Sequence, residues 1–531
     1  MPLLTPAEEA FTRTVAELVH CNPFTTRRIE LERQALGAEF VEADAEWNLH
    51  PHARHHHPNL LALHRRLEEM TERVRSRLVK GQAANAAERA LYEDLVLLTL
   101  YQRLRRGLDE TVTTAAAGAR AGRPATLYRQ LEQEAARAFV GAAAPSRAAV
   151  PHFFACAFQL RRAVHHIFDA IIGVSRPAVR LRAEVWQSVF THDMRRYRRL
   201  LFDRMTDFST LVMGASGTGK ELVARAIGLS RYIPFDARRG GFVEDFAGSF
   251  IALNLSAMSP TLIESELFGH RRGAFTGAVS ERAGFLEVCA PLGSVFLDEI
   301  GDLDEAIQVK LLRVIQTRTF QRLGETEDRQ FRGKIIAATN RDLVAAMAAG
   351  RFREDLYYRL CSDVIRTPTL AEQLADSPDD LRNLLRHIAR RLVEREADAL
   401  AEEAETWIAR NLGPSYPWPG NIRELEQCVR NVLVRGEYRP ARASRQDVEP
   451  DLAQQIEAGA LSADELLQRY CAIVYRMSGS YEAAARRLGL DRRTVKARVR
   501  AGSAPAAVGP APARGGRQRA RKAGKRSAPP R

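Results

Sequence analysis

A glycine-rich turn that ends in a lysine is the part of this sequence best suited to chemistry. The apolar run before it predicts a strand, and the apolar positions after the lysine recur at helical spacing. In such a turn the backbone N–H groups face inward, the helix N-terminus adds partial positive charge, and the lysine reaches the β- and γ-phosphates of a nucleotide. A tight turn without a ligand is the alternative, and the glycines together with the lysine argue against it. The residues of this predicted phosphate-binding loop are Gly214, Ala215, Ser216, Gly217, Thr218, Gly219, Lys220 and Glu221.

Two later strands are predicted to end in polar residues. Asp298 and Glu299 follow an apolar run, and Asn340 comes shortly after another. Two adjacent carboxylates at the end of a buried strand are costly unless they are used. Beside a phosphate-binding loop, Asp298 can hold Mg²⁺ through water and Glu299 can orient or deprotonate the attacking water. An acid-rich helix N-terminus is the alternative for this pair, and Asn340, which can touch the γ-phosphate, is also common in any turn.

Arg353 and Arg359 lie in a stretch that mixes cations, acids and aromatic residues. An arginine can be supplied to the γ-phosphate of a neighbouring subunit, because its planar guanidinium matches phosphate oxygens. A salt-bridged surface helix would have the same composition. Both interpretations stay open on the residues alone.

The elements that must position these residues follow an α/β pattern from about residue 174 to 369. Apolar strands are predicted at Leu211–Met213, Phe250–Leu253, Ser294–Leu297 and Lys334–Ala338, with helical stretches between them. This order predicts a parallel sheet with helices on both faces. Ligands of such sheets bind at the carboxyl ends of the strands, where the phosphate-binding loop is expected.

Residues 1–172 are predicted to be mostly helical. Leucines from Leu60 to Leu78 form one amphipathic helix, and those from Leu91 to Leu108 form a second that we expect to break near Gly107. The stretch 115–145, rich in Ala, Gly and Arg, is interpreted as a loop. These residues show no alternating β pattern, which argues against a sensory receiver domain. A helical bundle, a dimerisation module and a regulatory domain all stay possible.

Charge and cysteine usage narrow the class of protein. The net charge is +14, and the chain after Ala501 carries eight Lys or Arg and no acid, which indicates a polyanionic partner. The six cysteines are scattered without a CxxC pair, so we expect a reducing compartment rather than disulfides or zinc. No signal peptide or membrane-spanning run of about 20 apolar residues is evident. The histidines between His50 and His57 are interpreted as a solvated loop in preference to a metal site.

The segment Glu264–His270 and the glycine-bracketed hexapeptide after it closely resemble the AAA+ domain of bacterial enhancer-binding proteins, the activators of sigma-54 RNA polymerase. The resemblance covers about residues 174–435. It implies that a flexible loop exposes one aromatic residue, grips sigma-54 and moves with the nucleotide state. The residues of this hexapeptide are Gly273, Ala274, Phe275, Thr276, Gly277 and Ala278.

The same resemblance implies roles for the other residues. Glu221, which replaces the Ser or Thr usual in phosphate-binding loops, is also the family's residue at that position. ATP and Mg²⁺ are the implied cofactors, bound between subunits of a homo-oligomer, expected as a hexameric ring. The implied assignments are Walker A for Gly214–Lys220, Walker B for Asp298 and Glu299, the switch residue for Asn254, sensor I for Asn340, trans-acting arginines for Arg353 and Arg359, and sensor II for Arg423.

Three segments depart from the family pattern. Tyr232–Ser249 is longer than the family usually has there, and Leu255–Met258 replaces a common Cys-Ala-Ala-Leu. Thr367–Glu372 replaces the usual PPLRER, which puts the contacts between core and lid in question. Nothing in residues 1–172 matches the receiver, GAF or PAS sensors common in this family.

Near the C-terminus, two short helices flank a Gly-containing turn at helix–turn–helix spacing. The second helix has the cations that a major-groove recognition helix needs, and the segment resembles the Fis-type domain that ends this family. An ordinary basic hairpin is the alternative. The predicted DNA-contacting residues are Arg492, Arg493, Thr494, Lys496 and Arg498.

The sequence therefore predicts an ATP-hydrolysing, DNA-binding transcriptional activator that remodels closed complexes of sigma-54 RNA polymerase. It would act in the cytoplasm, on double-stranded DNA upstream of promoters, and without a membrane. Two alternatives stay open: an AAA+ remodeller of another partner, and a DNA-binding regulator whose nucleotide domain does not hydrolyse. The predicted domains are a helical regulatory domain (1–172), an α/β AAA+ ATPase core (173–369), an α-helical AAA+ lid (370–440), a linker (441–460), a Fis-type helix–turn–helix domain (461–502) and a basic disordered tail (503–531).

Overall fold

The computed structural model describes residues 2–42, 57–116, 124–139, 149–245, 250–440 and 461–501. The chain divides into a unit of residues 1–440 and a second of residues 441–531. None of the helices in these ranges combines the length and apolar character needed to span a bilayer.

The first unit begins with helices, as the apolar spacing predicts. Leu63, Leu67 and Val74 of the predicted amphipathic helix are buried. The first of these helices starts with a capping box between Thr5 and Glu8. The helices are α1 (Pro6–His20), α2 (Thr26–Leu36), α3 (Pro58–Val79), α4 (Ala86–Ala116), α5 (Pro124–Ala138), α6 (Ala149–Ala170), α7 (Arg176–Phe190) and the short α8 (Met194–Arg196).

Two expectations about this region are wrong. Helix α4 does not break at Gly107 but continues to Ala116. The side chain of Leu127 of α5 occupies the space that a β-carbon at Gly107 would need. The glycine therefore serves close packing of two helices rather than a bend. The stretch 115–145 is also not all loop, since it contains α5, whose Tyr128 and Leu131 are buried. Alanine and arginine are good helix formers, so its composition did not exclude a helix.

A five-stranded parallel sheet forms the centre of residues 210–366, in the spatial order β11 (Asp363–Arg366), β1 (Thr210–Met213), β10 (Lys334–Thr339), β7 (Ser294–Asp298) and β4 (Phe250–Asn254). The four predicted strands are present, and β11 is an additional edge strand that the sequence pattern missed. Strands of a parallel sheet covered on both faces are nearly all apolar, which is why the inner strands were recognisable. The sheet strands are β1 (Thr210–Met213), β4 (Phe250–Asn254), β7 (Ser294–Asp298), β10 (Lys334–Thr339) and β11 (Asp363–Arg366).

Helices and three short ribbons surround this sheet. The ribbons are β2 (Phe235–Asp236) with β3 (Gly241–Phe242), β5 (Gly269–His270) with β6 (Arg282–Ala283), and β8 (Thr319–Phe320) with β9 (Arg329–Gln330). The helices are α9 (Lys220–Gly228), α10 (Pro260–Phe268), α11 (Phe285–Val288), α12 (Glu305–Thr317), α13 (Leu343–Ala348) and α14 (Glu354–Leu360).

The described part of the atypically long segment, residues 232–245, packs against the N-terminal helices. Phe235 lies 4.8 Å, between ring centroids, from both Tyr128 and Phe154, and Phe242 lies 4.6 Å from Phe158. Aromatic pairs at these separations add to the stabilisation from apolar burial. The extra residues of this segment therefore connect the α/β region to the N-terminal helices.

Helices α6 and α7 also join these two regions. Ile167 of α6 and Val185 of α7 belong to one buried cluster with Val212 of β1 and Ala226 of α9. The predicted boundary at residue 172 thus falls between two helices that pack on the same core.

The remaining helices form two separate bundles. Residues 370–435 contain α15 (Leu370–Asp376), α16 (Asp379–Leu392), α17 (Ala397–Asn411) and α18 (Asn421–Arg435). The second unit contains α19 (Ala463–Ser478), α20 (Tyr481–Leu488) and α21 (Arg492–Ala501). Cys471, Ala484 and Val495 are buried together in the core of this second unit.

Candidate nucleotide-binding site

The predicted phosphate-binding loop connects β1 to α9 in the expected way. Gly219 caps α9 in a left-handed conformation, φ 89°, which glycine adopts without strain. Lys220 is buried, and its Nζ donates to the carbonyl oxygens of Gly214 at 3.1 Å and Ala215 at 3.3 Å. The ammonium group is therefore held at the loop itself, within reach of an anion bound there.

The three polar residues predicted at two strand ends meet at one edge of the sheet. The Asp298 Oδ1 accepts a hydrogen bond from the Glu299 backbone N–H at 3.0 Å, and the Glu299 Oε2 accepts one from the Asn340 N–H at 3.2 Å. Strand β10 pairs with both β1 and β7, which places these residues beside the loop. Burial raises the pKa of Asp298, and the charge of Lys220 opposes that rise.

Asn254 lies next to Asp298, because the two residues are paired in the register of β4 and β7. Its Oδ1 accepts hydrogen bonds from the backbone N–H and the hydroxyl of Ser256, at 3.1 and 2.9 Å. In this structure Asn254 therefore stabilises the turn after β4, and the carboxylate of Glu299 is held by Asn340.

Helix α18 brings a second group of residues to the loop. Asn421 donates from Nδ2 to the Ser216 carbonyl at 3.0 Å, and Arg423 donates from Nη1 to the Ser216 hydroxyl at 3.3 Å. At Gly217 a β-carbon would collide with the Gly420 carbonyl, so glycine is required for this close approach. The predicted sensor arginine Arg423 thus lies at the loop together with Asn421, to which the sequence analysis assigned no role.

The segment Thr367–Glu372, which replaces the usual PPLRER, makes further contacts with the loop and with α18. Thr367 lies 2.7 Å, between hydroxyl oxygens, from Thr218, and Thr369 forms a capping box with Glu372 at the start of α15. The Leu370 N–H donates to the Asn421 Oδ1 at 2.9 Å. Hydroxyl and amide groups therefore make the connection between core and lid that the altered sequence had put in question.

A cleft runs from the loop to α7. Arg176 and Arg180 of α7 line it together with Gly214, Asn340 and Thr367. Sequence reasoning assigned no role to the two α7 arginines, because basic residues on a helix usually mark a solvated face.

The two predicted trans-acting arginines lie at and on α14. Arg353 precedes the helix and pairs with Asp355 at 2.8 Å and with Glu305 at 3.4 Å, while Arg359 is exposed. Within the described ranges, neither guanidinium makes a hydrogen bond to the loop or to Asp298, Glu299 or Asn340 of the same chain.

The hexapeptide Gly273–Ala278 lies between β5 and β6. The Gly273 N–H donates to the Ala278 carbonyl at 2.9 Å, which closes the turn, and Gly277 has φ 100°. Thr276 is exposed, whereas Phe275 is half-buried because its ring packs edge-on against His270, 5.0 Å between centroids. The aromatic residue that the resemblance implies is exposed by this loop is thus only partly exposed in this structure.

In the second unit, α21 carries the predicted DNA-contacting residues. Arg493 and Thr494 are exposed, and Lys496 is partly exposed. Arg492 pairs with Glu482 at 2.9 Å and Arg498 with Asp464 at 2.8 Å. Glu482 and Asp464 are exposed, and surface ion pairs of this kind contribute about 0–1 kcal/mol.

The histidine-rich segment falls mostly outside the described residues. His57 is described, and it caps α3 by accepting a hydrogen bond from the Asn59 N–H. No group of residues suited to hold a metal ion is found among those described.

Comparison with known proteins identifies two domains in this chain. Residues 190–366 match the sigma-54 interaction domain, and residues 376–463 match the AAA+ ATPase lid domain. Transcriptional regulatory protein ZraR of Klebsiella oxytoca is 40% identical over 305 residues, which are 55% of this chain and 63% of ZraR. GlrR of Escherichia coli strain K12 is 41% identical over 275 residues, which are 50% of this chain and 57% of GlrR.

The Nif-specific regulatory protein of Azotobacter vinelandii is 44% identical over 229 residues, which are 43% of this chain and 40% of that protein. The match thus spans less than two thirds of each of these relatives, and the family models leave residues 1–189 unassigned. Residues 190–366 of this chain therefore belong to the sigma-54 interaction domain family, and residues 376–463 belong to the AAA+ ATPase lid domain family.

Proposed function

We propose that this protein is an ATP-hydrolysing, DNA-binding transcriptional activator that remodels closed complexes of sigma-54 RNA polymerase. The observation that supports it most is the convergence of Lys220, Asp298 and Glu299 at one edge of a parallel sheet. A cation at a helix N-terminus beside two carboxylates is the arrangement that binds and cleaves a nucleoside triphosphate.

The residues at this edge fit ATP with Mg²⁺. Magnesium prefers carboxylate oxygens and usually keeps several waters, so Asp298 is assigned to hold it through water. When bound, the metal neutralises charge that develops on the phosphate oxygens. Lys220 and the backbone N–H groups at the start of α9 bind the phosphates, and Glu299 orients the attacking water and accepts its proton.

Three other side chains position this machinery. The backbone N–H of Asn340 fixes the Glu299 carboxylate. Because it lies beside Glu299, Asn340 is assigned as sensor I. Asn254, beside Asp298, is assigned as the switch residue that can replace this contact when nucleotide changes. Arg423 contacts the loop from the lid, so loss of a phosphate from the bound nucleotide changes the position of the lid on the core.

The catalytic arginines are assigned to a neighbouring subunit. Arg353 pairs with two acids that are themselves largely exposed, and Arg359 is exposed. Such surface ion pairs contribute about 0–1 kcal/mol, so a triphosphate on an adjacent protomer can displace them. The functional form is therefore a homo-oligomer, expected as a hexameric ring.

Two surfaces connect ATP turnover to transcription. The turn Gly273–Ala278 carries the exposed Thr276 and the half-buried Phe275, and it is assigned to contact sigma-54. In the second unit, α20 and α21 are assigned as a Fis-type helix–turn–helix whose Arg493 and Lys496 face upstream double-stranded DNA. Residues 1–172 are assigned a regulatory role in the cytoplasm.

A subunit-mixing experiment tests the shared site. Lys220→Ala and Arg359→Ala should each abolish ATP hydrolysis, because every site in each homo-oligomer then lacks one component. A mixture of the two variants forms some sites with Lys220 from one protomer and Arg359 from the next, so activity should reappear. Arg351→Ala, which removes an exposed arginine of the same segment, is the matched control and should hydrolyse ATP normally.

The outcomes separate the three functions. Mixtures that stay inactive would refute catalysis by a neighbouring arginine. Wild-type protein that hydrolyses no ATP at any concentration would favour a non-hydrolysing DNA-binding regulator. Active protein that fails to retain sigma-54 with an ATP transition-state mimic would favour an AAA+ remodeller of another partner.

A further inference from the structure

An apolar cavity of about 160 Å³ lies among the helices of the first unit. Leu18 of α1, Leu98 of α4 and Ala157 of α6 line it, and Trp186 and Phe190 of α7 complete the wall. An enclosed apolar cavity of about 150 Å³ holds one benzene molecule, so this cavity has room for a single six-membered ring.

The charged groups at the wall of this cavity are basic. None of the described residues that line it is Asp or Glu. Arg28 pairs with Glu32, Arg161 with Asp109 and Arg198 with Asp94, so much of this charge is balanced by acids that lie outside the cavity. Burial and the charge of Arg161 lower the pKa of Arg105, as expected where cations are crowded. The basic lining residues are His20, Arg28, Arg105, Arg161 and Arg198.

Trp186 gives a second and independent indication of a ligand. The residue is only 3% exposed and its ring packs against Phe24 and Phe190. Its Nε1–H is buried and, among the described residues, has no hydrogen-bond partner. A buried donor without an acceptor is destabilising, and an acceptor on a molecule bound in the cavity would satisfy it.

We propose that this cavity binds a small monocyclic carboxylate, with the ring among the apolar side chains and the carboxylate accepting from Trp186 and the nearby arginines. The volume of the cavity admits a single ring, and the Trp186 donor together with the basic residues at the wall favours an anion. The site lies apart from the nucleotide loop, so its existence does not depend on the proposed function.

Helix α7 connects this cavity to the nucleotide cleft. Trp186 and Phe190 in its C-terminal half line the cavity, whereas Arg176 and Arg180 in its N-terminal half line the cleft beside Gly214. A ligand that shifts α7 therefore changes nucleotide affinity, and the nucleotide changes ligand affinity by the same factor. This coupling, unlike the binding itself, rests on the nucleotide site of the proposed function.

Calorimetric titration of the full chain with benzoate tests the binding. Benzoate should bind saturably at millimolar concentration or below, and the neutral benzyl alcohol should bind at least tenfold more weakly. Trp186→Phe, which keeps a ring and removes the donor, should weaken benzoate binding about tenfold. Ala157→Leu should abolish binding by filling the cavity. Trp407→Phe, the same change in the lid, is the matched control and should bind as wild type.

Thermal unfolding of each variant shows whether it is folded, so a loss of binding can be assigned to the cavity. No saturable heat with benzoate up to 10 mM, or equal affinity for benzyl alcohol, would overturn the proposal. So would equal effects of the two tryptophan substitutions.

The coupling is tested with a fluorescent ATP analogue. Saturating benzoate should change the dissociation constant of the analogue at least threefold in wild type and not in Ala157→Leu. An unchanged constant would overturn coupling through α7. Failure of the analogue to bind at all would count against the proposed function, while the benzoate titration would still decide the cavity.

Discussion

Glu299 combines a strained backbone with a fixed side chain. Its φ of 56° is in the left-handed region, which costs a non-glycine residue about 1–3 kcal/mol. Its Oε2 accepts from the Asn340 N–H, so the end of β10 holds the carboxylate. The strained backbone and this hydrogen bond together fix the direction of the Glu299 carboxylate. A fixed direction is what the proposed role of this carboxylate, as the base for an attacking water, requires.

Replacing Glu299 by Gln tests its role at the scale of a single residue. Gln keeps the shape and an acceptor for the Asn340 N–H but cannot take a proton. We expect ATP affinity within about threefold of wild type and a turnover number lowered roughly 10²- to 10⁴-fold. Filter binding and steady-state phosphate release measure the two quantities.

Glu403→Gln, an exposed glutamate of α17, is the matched control and should leave both quantities unchanged. Turnover by Glu299→Gln within a factor of two of wild type would remove Glu299 from the mechanism.

At the scale of elements, Glu8 fastens α1 to α3. Its carboxylate accepts hydrogen bonds from Arg77 at 2.6 and 3.0 Å and also closes the capping box of α1. The hydrogen bond from Arg77 is the main reason that the pKa of Glu8 falls to about 2, against the opposing effect of burial. A carboxyl whose folded pKa is lowered stabilises the fold above its unfolded pKa, and that contribution is lost as pH falls toward the folded value.

Glu8→Gln should therefore lower stability most near pH 7, by about 3 kcal/mol if the full shift in pKa applies. The difference from wild type in thermal unfolding midpoint should shrink as pH falls from about 4.5 to 2. Glu9→Gln is the matched control, because Glu9 pairs with Arg13 on the surface, and it should cost less than about 1 kcal/mol. A difference that stays constant between pH 7 and 3 would show that the ionised carboxylate is not what stabilises this contact.

The turn Gly273–Ala278 is a second element whose role is separable. Thr276 is exposed and, among the described residues, its side chain makes no hydrogen bond to the phosphate-binding loop or to Asp298, Glu299 or Asn340. Thr276→Ala should therefore hydrolyse ATP at the wild-type rate and lose open-complex formation in a reconstituted sigma-54 transcription assay. Ser280→Ala, exposed just after the turn, is the control that should retain both activities. Transcription by Thr276→Ala at the wild-type level would exclude the threonine from the sigma-54 contact.

At the scale of the whole molecule, the first unit does not separate cleanly at residue 172. Val164 and Ile167 of α6 are buried in one cluster with Val223 and Ala226 of α9. Burying a large aliphatic side chain contributes about 1.5–3 kcal/mol, so removing α6 uncovers apolar surface of the ATPase core.

A fragment of residues 173–531 should accordingly unfold at a lower temperature than the full chain. Differential scanning calorimetry of both proteins measures the transition that contains the ATPase core. Equal midpoints would mean that α6 contributes nothing to the core. If the prediction holds, a change in the ATPase activity of this fragment reflects lost packing as well as lost regulation. Point variants of residues that line the apolar cavity are then the cleaner test of regulation.

The basic residues after Arg500 give a prediction about salt. Removing them deletes eight positive charges and no negative one, so DNA affinity should fall and its dependence on salt concentration should flatten. Affinity for an upstream DNA duplex between about 50 and 200 mM salt measures the slope. The calorimetric transition of the core should not move. An unchanged salt slope would show that these residues make no phosphate contacts.

The sequence by itself determined the glycine-rich loop before α9, the two acids at the end of β7 and four strands of the sheet. Each of these is local, because a glycine turn, a lysine at a helix start and a run of apolar residues keep their meaning whatever surrounds them. The match to the sigma-54 interaction domain confirmed the family that these motifs indicated.

Only the tertiary structure decided how distant segments meet. It placed Asn421 and Thr367 on the loop and packed Phe235 against the N-terminal helices. It also placed α7 between the apolar cavity and the cleft beside the loop. The half-buried Phe275 likewise depends on His270 beside it. Contacts between residues far apart in the chain depend on how helices and sheet pack, and a polar turn or an amphipathic helix looks the same in sequence whichever partner it meets.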